Sequence, residues 1–278
     1  MKIIERSLKS SDGLTLFATE WAPDGKAPTA CVALVHGLGE HIGRYHHVAQ
    51  AFTDAGFAMM GIDLRGHGKS EGPRGHSPSY EQLTKDVSML IESLRKDFPG
   101  LPVFVYGHSM GGNIALYCAI KVRPDVQGFI ITSPGLATKN PVPAGKLFLG
   151  KVMANIAPSF AMDNGLDLSG LSRDQIVIEK YKNDPLVHGK ISAKLAIDML
   201  EAGKFELENA SSVDLPLLLM VGSSDRLVDP EKVKLFAKTS KNNVTFKLYE
   251  NYYHELHNEP EKAEVISTMI DWINNQIK

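Results

Sequence analysis

Val103-Phe104-Val105-Tyr106-Gly107-His108-Ser109-Met110-Gly111-Gly112-Asn113 passes from a β-branched and aromatic run into a helical one with no polar linker between them. The strand must turn into the helix within the residues around Ser109. A turn that tight leaves no room for side chains at its flanks, which accounts for Gly107 and Gly111. It also lifts the Ser109 hydroxyl above the carboxyl ends of the strands. The start of the following helix offers free N–H groups and a positive dipole end to a developing anion. A bare G-x-S-x-G arises often by chance; strand, elbow and helix in the required order give this one its weight.

The chain on either side keeps the same rhythm. Short apolar runs bounded by Gly, Pro or Asp alternate with longer segments of helical period, the pattern of a mostly parallel sheet with helices on both faces. Lys2–Lys9 and Leu14–Trp21 read as a hairpin turning at Ser10-Ser11-Asp12-Gly13. Thr29–Val35, Phe57–Asp63, Leu101–Tyr106, Val126–Thr132, Leu215–Val221 and Val244–Glu250 read as buried strands, so the spacing predicts an eight-stranded sheet. Tyr45–Ala55, Ser79–Phe98, Met110–Arg123, Pro230–Thr239 and Pro260–Gln276 fit helices.

About 80 residues separate Thr132 from Leu215, which is too many for a connection and implies an insertion. Its centre, Leu147–Phe160, is apolar on more than one face. That fits either a helical subdomain buried on its parent or a lid with an apolar inner face over a greasy substrate. The expected division is a core of residues 1–135 and 210–278 with a cap at 136–209.

Composition narrows the partners. The 278 residues carry 30 Lys+Arg against 32 Asp+Glu for a net charge of −2, without a basic block, so nucleic acid is not an expected partner. Cys31 and Cys118 lie in apolar stretches and read as small buried hydrophobes. The start, Met1-Lys2-Ile3-Ile4-Glu5-Arg6, lacks the apolar core of a signal peptide, and no run approaches a membrane span. The expected location is the cytoplasm, with peripheral contact to membranes.

A neutral serine needs a base, and the base needs an orienting group. Asp225 falls just past the strand ending at Val221, and His254 in the loop after the last strand, both on the sheet edge that carries Ser109. Asp229, ahead of Pro230, is the competing acid but the better helix cap; His257 is the competing base, and His254 comes first after the strand. The oxyanion donors are assigned to the backbone of Met110 and, in Val35-His36-Gly37-Leu38-Gly39-Glu40, to that of Leu38, with His36 structural. Gly66-His67-Gly68-Lys69-Ser70 is no phosphate loop, because Asp63 stands where that motif needs glycine. His254-Glu255-Leu256-His257 lacks zinc-protease spacing, and no metal or other cofactor is implied.

These residues resemble the monoacylglycerol lipase and lysophospholipase branch of the α/β-hydrolase superfamily over nearly the whole chain. The resemblance rests on His36–Tyr45, Asp63–Ser70, Gly107–Gly112, Asp184-Pro185-Leu186, Ser224–Val228 and Tyr253–His257. The blocks at Ser109 and Asp63 are shared across the superfamily; Glu40–Tyr45 and the two-histidine block are more specific. The likeness implies an α/β-hydrolase fold with a helical cap, acyl-enzyme chemistry at Ser109 with Asp225 and His254, and an oxyanion hole from Leu38 and Met110. It also implies a polar glycerol pocket from Glu40, Arg44, His108, Tyr181, Asp184 and His257, and a cap able to touch a membrane or micelle. Read on their own, Arg44 and Glu40 fit equally an exposed ion pair at a helix start, and Tyr181 and Asp184 could simply fix the cap's return.

The expected activity is hydrolysis of a monoacylglycerol ester. A lysophospholipase or general carboxylesterase with the same triad is the enzymatic alternative. An inactive binding version of the fold and a membrane-associated interaction protein are the non-enzymatic ones.

Overall fold

The computed structural model describes residues 1–240 and 243–277. The chain opens with an antiparallel pair, β1 (Lys2–Lys9) and β2 (Thr15–Ala22), then β3 (Ala30–Val35), α1 (His46–Asp54), β4 (Phe57–Ile62), α2 (Tyr80–Asp97), β5 (Val103–His108), α3 (Met110–Tyr117) and β6 (Gly128–Thr132). The insertion holds α4 (Ala144–Ile156), β7 (Ala161–Asp163), α5 (Gln175–Asn183), β8 (Lys190–Ser192) and α6 (Ala193–Glu208). The chain then returns through β9 (Leu217–Gly222), α7 (Pro230–Thr239), β10 (Val244–Tyr249) and α8 (Lys262–Gln276).

The main sheet has eight strands in the order β1-β2-β4-β3-β5-β6-β9-β10. Every neighbouring pair from β4 to β10 is parallel, and β2 runs against both its neighbours. Strands β3, β4, β5, β6 and β9 are buried along their whole length, which explains why they read as continuous apolar runs rather than alternating ones. Two apolar cores result, one on each face: Val105, Ile114 and Phe236 belong to the first, Phe52, Phe104 and Trp272 to the second. Cys31 and Cys118 are free thiols buried in the first, as expected.

The helix after β5 is shorter than its period suggests. Regular α-helix stops at Tyr117, and a π-turn over Cys118–Val122 carries it to Arg123, which closes the element in the left-handed region at φ 54°. In the insertion, α4 buries none of its residues; Leu147 and Met153 face inward, while Phe148, Leu149 and Ile156 are exposed.

Helix α6 is attached more deeply. Its Glu206 is fully buried and accepts a 2.9 Å hydrogen bond from the Asn113 side chain on α3, which also donates to the Gly135 carbonyl at 3.0 Å. Tyr80 on α2 donates to the Asn113 carbonyl oxygen. Burial pushes the Glu206 carboxyl well above its ordinary 4.5, and its Oε1 has no partner among the described residues. An acid that keeps its proton only when folded costs stability once the unfolded chain ionises, so this cost grows as pH rises above 4.5. Glu206→Gln preserves the bond to Asn113 and removes that cost. The variant is expected to melt above the parent near pH 8 and level with it near pH 4, the range where the linkage vanishes.

Candidate active site

The elbow takes the conformation its glycines require. Ser109 sits at φ 53° and ψ −116°, a strained combination for a side-chain-bearing residue that survives only when its surroundings over-determine it. A Cβ on Gly107 would stand 2.5 Å from the Gly111 carbonyl oxygen, and one on Gly111 would collide with the Val35 carbonyl. The serine is held from both sides: its N–H donates to Thr132 O at 3.0 Å, and its own carbonyl accepts from Asn113 and Gly135.

Loops after β9 and β10 bring two further side chains to the same edge. They are stitched together by Ser223 N–H to Tyr249 O and Ser224 N–H to Tyr252 O, at 2.9 and 3.1 Å. Asp225 Oδ2 lies 2.8 Å from His254 Nδ1, and His254 Nε2 lies 2.8 Å from Ser109 Oγ. The other Asp225 oxygen accepts the N–H groups of Leu227 and Val228, which fixes the carboxylate plane. Asp229, the competing acid, instead caps α7 by accepting the Glu231 N–H at 3.1 Å. His257, the competing base, points away from the serine: its ring stacks on Tyr45 at 4.6 Å and lies 3.3 Å from the Tyr106 hydroxyl. Burial holds His257 down to about 3, so it stays neutral.

His254 is only 4% exposed. That burial would depress its pKa, but the charge and hydrogen bond of Asp225, with the charges of Glu255 and Glu40, outweigh it and hold it above 6.5. An imidazole in this setting accepts a proton readily while remaining oriented. Its backbone is anchored as well. Ser133, itself at φ 45°, donates from its hydroxyl to the His254 carbonyl at 2.8 Å, and the N–H groups of His254 and Glu255 donate to Gly170 and Leu171 of the insertion.

The loop after β3 reaches over the serine. A Cβ at Gly37 would lie 3.2 Å from the Ser109 Cβ, so only glycine lets this backbone come so close. Its register is set by His36, whose Nδ1 bonds the Gly37 carbonyl at 2.7 Å and whose Nε2 accepts the Leu64 N–H at 2.8 Å, a structural role as expected. Leu38 follows at the cavity wall, and Met110 is the first residue of α3, whose N–H has no acceptor within the helix.

Between this edge and the insertion lies a cavity of about 320 Å³. Leu147, Met153, Phe160, Ile197, Leu200 and Leu227 form much of its wall, and Ser109 and His254 open into it. Of the six residues expected to make a polar pocket, Glu40, His108 and Tyr181 border this space. Arg44, Asp184 and His257 are not among the residues that line it. Asp184 is bound to His41 Nε2 at 2.9 Å and fixes the insertion to the core; His257 is fully buried behind His108. Arg44 and Glu40 do pair, at 2.5 Å, but as a buried pair and not an exposed one, because Glu255 accepts two further bonds from Arg44 at 2.7 and 2.6 Å. Glu255 and the anchoring Gly170 and Leu171 are the functional contacts that sequence reasoning misses. Among the described residues there is no cluster suited to a metal ion and no helix long and apolar enough to cross a membrane.

Comparison with known proteins decides the kinship. The Hydrolase_4 family model, described as serine aminopeptidase S33, matches residues 26–261. The chain belongs to that family. It is 34% identical over 271 residues to a monoacylglycerol lipase of Mycolicibacterium smegmatis, covering 97% of this chain and 96% of that one. It is 39% identical over 275 residues to an uncharacterized abhydrolase domain-containing protein of Dictyostelium discoideum, but spans only 29% of that protein's length. Among solved structures, the monoacylglycerol lipase of Paleococcus ferrophilus superposes with a TM-score of 0.86 at 33% identity, over 94% of this chain and 99% of that one. The α/β-hydrolase fold and the resemblance to the monoacylglycerol lipase branch are thus borne out.

Proposed function

We propose that the protein is a serine hydrolase that cleaves the carboxylic ester of monoacylglycerols through an acyl-enzyme on Ser109. The observation that carries this reading is the relay Asp225–His254–Ser109, with both hydrogen bonds at 2.8 Å, opening into a cavity with a largely apolar wall. Ser109 Oγ attacks the ester carbonyl as His254 Nε2 takes its proton, while Asp225 keeps the imidazole in the tautomer that can accept it. The backbone N–H groups of Leu38 and Met110 receive the oxyanion, each typically worth about 3–4 kcal/mol. His254 then protonates the departing glycerol oxygen, and water releases the fatty acid by the same route in reverse.

The acyl chain requires only apolar wall, which the cavity provides, and the hydroxyls of glycerol require a few polar groups, for which His108 and Tyr181 are available. An aminopeptidase substrate is less well served. The carboxylates beside the serine, Glu40 and Glu255, are already committed to Arg44 and would not be free for a peptide ammonium. Residues 136–209 act in this reading as the cap, and its exposed Phe148, Leu149, Ile156, Phe160 and Met162 form the face that meets a membrane or micelle.

Steady-state hydrolysis of a panel tests the substrate class: monoacylglycerols of several chain lengths, a diacylglycerol, a lysophospholipid and aryl esters. The proposal expects the highest kcat/KM for a monoacylglycerol. A lysophospholipid or aryl ester ahead by about tenfold, equivalent to roughly 1.4 kcal/mol of transition-state binding, would replace it with the lysophospholipase or carboxylesterase alternative.

A further inference from the structure

Arg44 lies between two acidic residues that border the cavity, yet does not itself reach the cavity wall. We propose that Arg44, with Glu40 and Glu255, is a positioning strut that locks the loop carrying Leu38 to the loop carrying His254, so that oxyanion donor and general base keep their separation whichever ester is bound. The inference rests on the reading of Ser109 as the nucleophile of an ester hydrolase.

Each joint of the strut is a short hydrogen bond. At one end, Glu40 Oε1 accepts the Gly37 N–H at 2.7 Å, next to Leu38, and the Tyr45 hydroxyl at 2.7 Å. At the other, Glu255 follows His254 directly in the chain, 211 residues from Arg44, and Asn258 donates to its Oε2 at 2.8 Å. Arg44 spans them with one bond to Glu40 and a two-pronged bond to Glu255. The planar fork of a guanidinium is suited to hold two carboxylates in fixed orientation, which an ammonium is not. The Tyr181 ring covers the guanidinium at 4.7 Å, leaving its side chain 10% exposed. With donors and acceptors consumed internally, little remains to offer a substrate hydroxyl.

The cluster also carries charge. Two carboxylates against one guanidinium leave an excess of negative charge near His254, which is faced besides by Asp225 and the neutral His108. Burial raises the Glu40 carboxyl, helped by the charge of Glu255. Burial works on Glu255 in the same sense, but Arg44 outweighs it and holds that carboxyl down at about 2.

Arg44→Lys and Glu255→Gln test the strut on two esters of the same acyl chain, a monoacylglycerol and an aryl ester that has no hydroxyls to bind. The folded, reactive fraction of each variant is counted by stoichiometric labelling of the serine with an organophosphonate. The strut predicts that kcat falls by a similar factor on both esters, about ten- to a hundredfold for a displacement near 1 Å, with KM little changed. In Glu255→Gln the acid limb of kcat/KM also moves to lower pH, since a negative charge facing His254 is gone. A loss confined to KM for the monoacylglycerol would make Arg44 a glycerol contact and overturn the proposal, as would an acid limb that stays in place. Parent enzyme that turns over neither ester would overturn the reading of Ser109 and not the strut.

Discussion

Ser109→Ala is expected to lower kcat by about a millionfold while leaving the fold intact, because the hydroxyl is the one group that forms the covalent bond. The residue's backbone is pinned by Thr132, Asn113 and Gly135 and not by its side chain, whose hydroxyl bonds only His254 among the described residues. Thermal melting should therefore be unchanged. The residual rate reflects the oxyanion donors and the cavity, which continue to bind and polarise the ester. Adding His254→Ala to this variant should cost almost nothing more, since a base with no nucleophile to serve has lost its function. Steady-state assays of the two single variants and the double variant check this. A Ser109→Ala protein within about tenfold of the parent would mean that another nucleophile or a bound water attacks the ester.

Asp225→Asn is expected to cost about 10⁴ in kcat through the tautomer of its neighbour. The carboxylate now accepts from His254 Nδ1 at 2.8 Å, which leaves Nε2 bare and facing Ser109 Oγ. An asparagine there keeps its carbonyl on the N–H groups of Leu227 and Val228, so its amide must face the imidazole and donate to Nδ1. The proton is forced onto Nε2, where it blocks the transfer from serine. Loss of the carboxylate charge also lowers the His254 pKa, so the remaining activity should show an acid limb at lower pH than the parent. A pH–rate profile of the variant measures both effects. A loss below tenfold would point to a different orienting group, and Asp229 is poorly placed to be one, as it caps α7.

Much of this site was legible because parallel sheets impose a rule that sequence can express. Residues that follow strands meet on one edge, so Ser109 after β5, Asp225 after β9 and His254 after β10 were brought together once the strands were located. Strand starts shifted by two residues, Leu101 to Val103 for instance, without moving any of the three. The end of α3 was less legible: Met110–Arg123 has helical period throughout, and nothing local announces the π-turn after Tyr117.

The surroundings of the triad were harder to read for a physical reason. Glu40 and Arg44, four apart, carry the signature of an exposed helical ion pair; what buries them is Glu255, 211 residues from Arg44, and the ring of Tyr181 in the insertion. His257 matched a family block yet lies fully buried against Tyr45, and Asp184 turned out to hold His41. Glu206, which reads as one more acid on the last turn of a helix, is the buried partner of Asn113. Long-range partnership, not local pattern, settles each of these cases.

If Ser109 is the nucleophile, an acyl-enzyme forms on it and can be captured. The protein is mixed with a slowly hydrolysed ester, quenched in acid within the first turnovers and weighed intact, then digested to locate the added mass. The expected result is an increment equal to the acyl group, carried by the peptide that contains Ser109 and absent from Ser109→Ala. Turnover of the ester with no acylated intermediate, or an acyl group on any other residue, would contradict it.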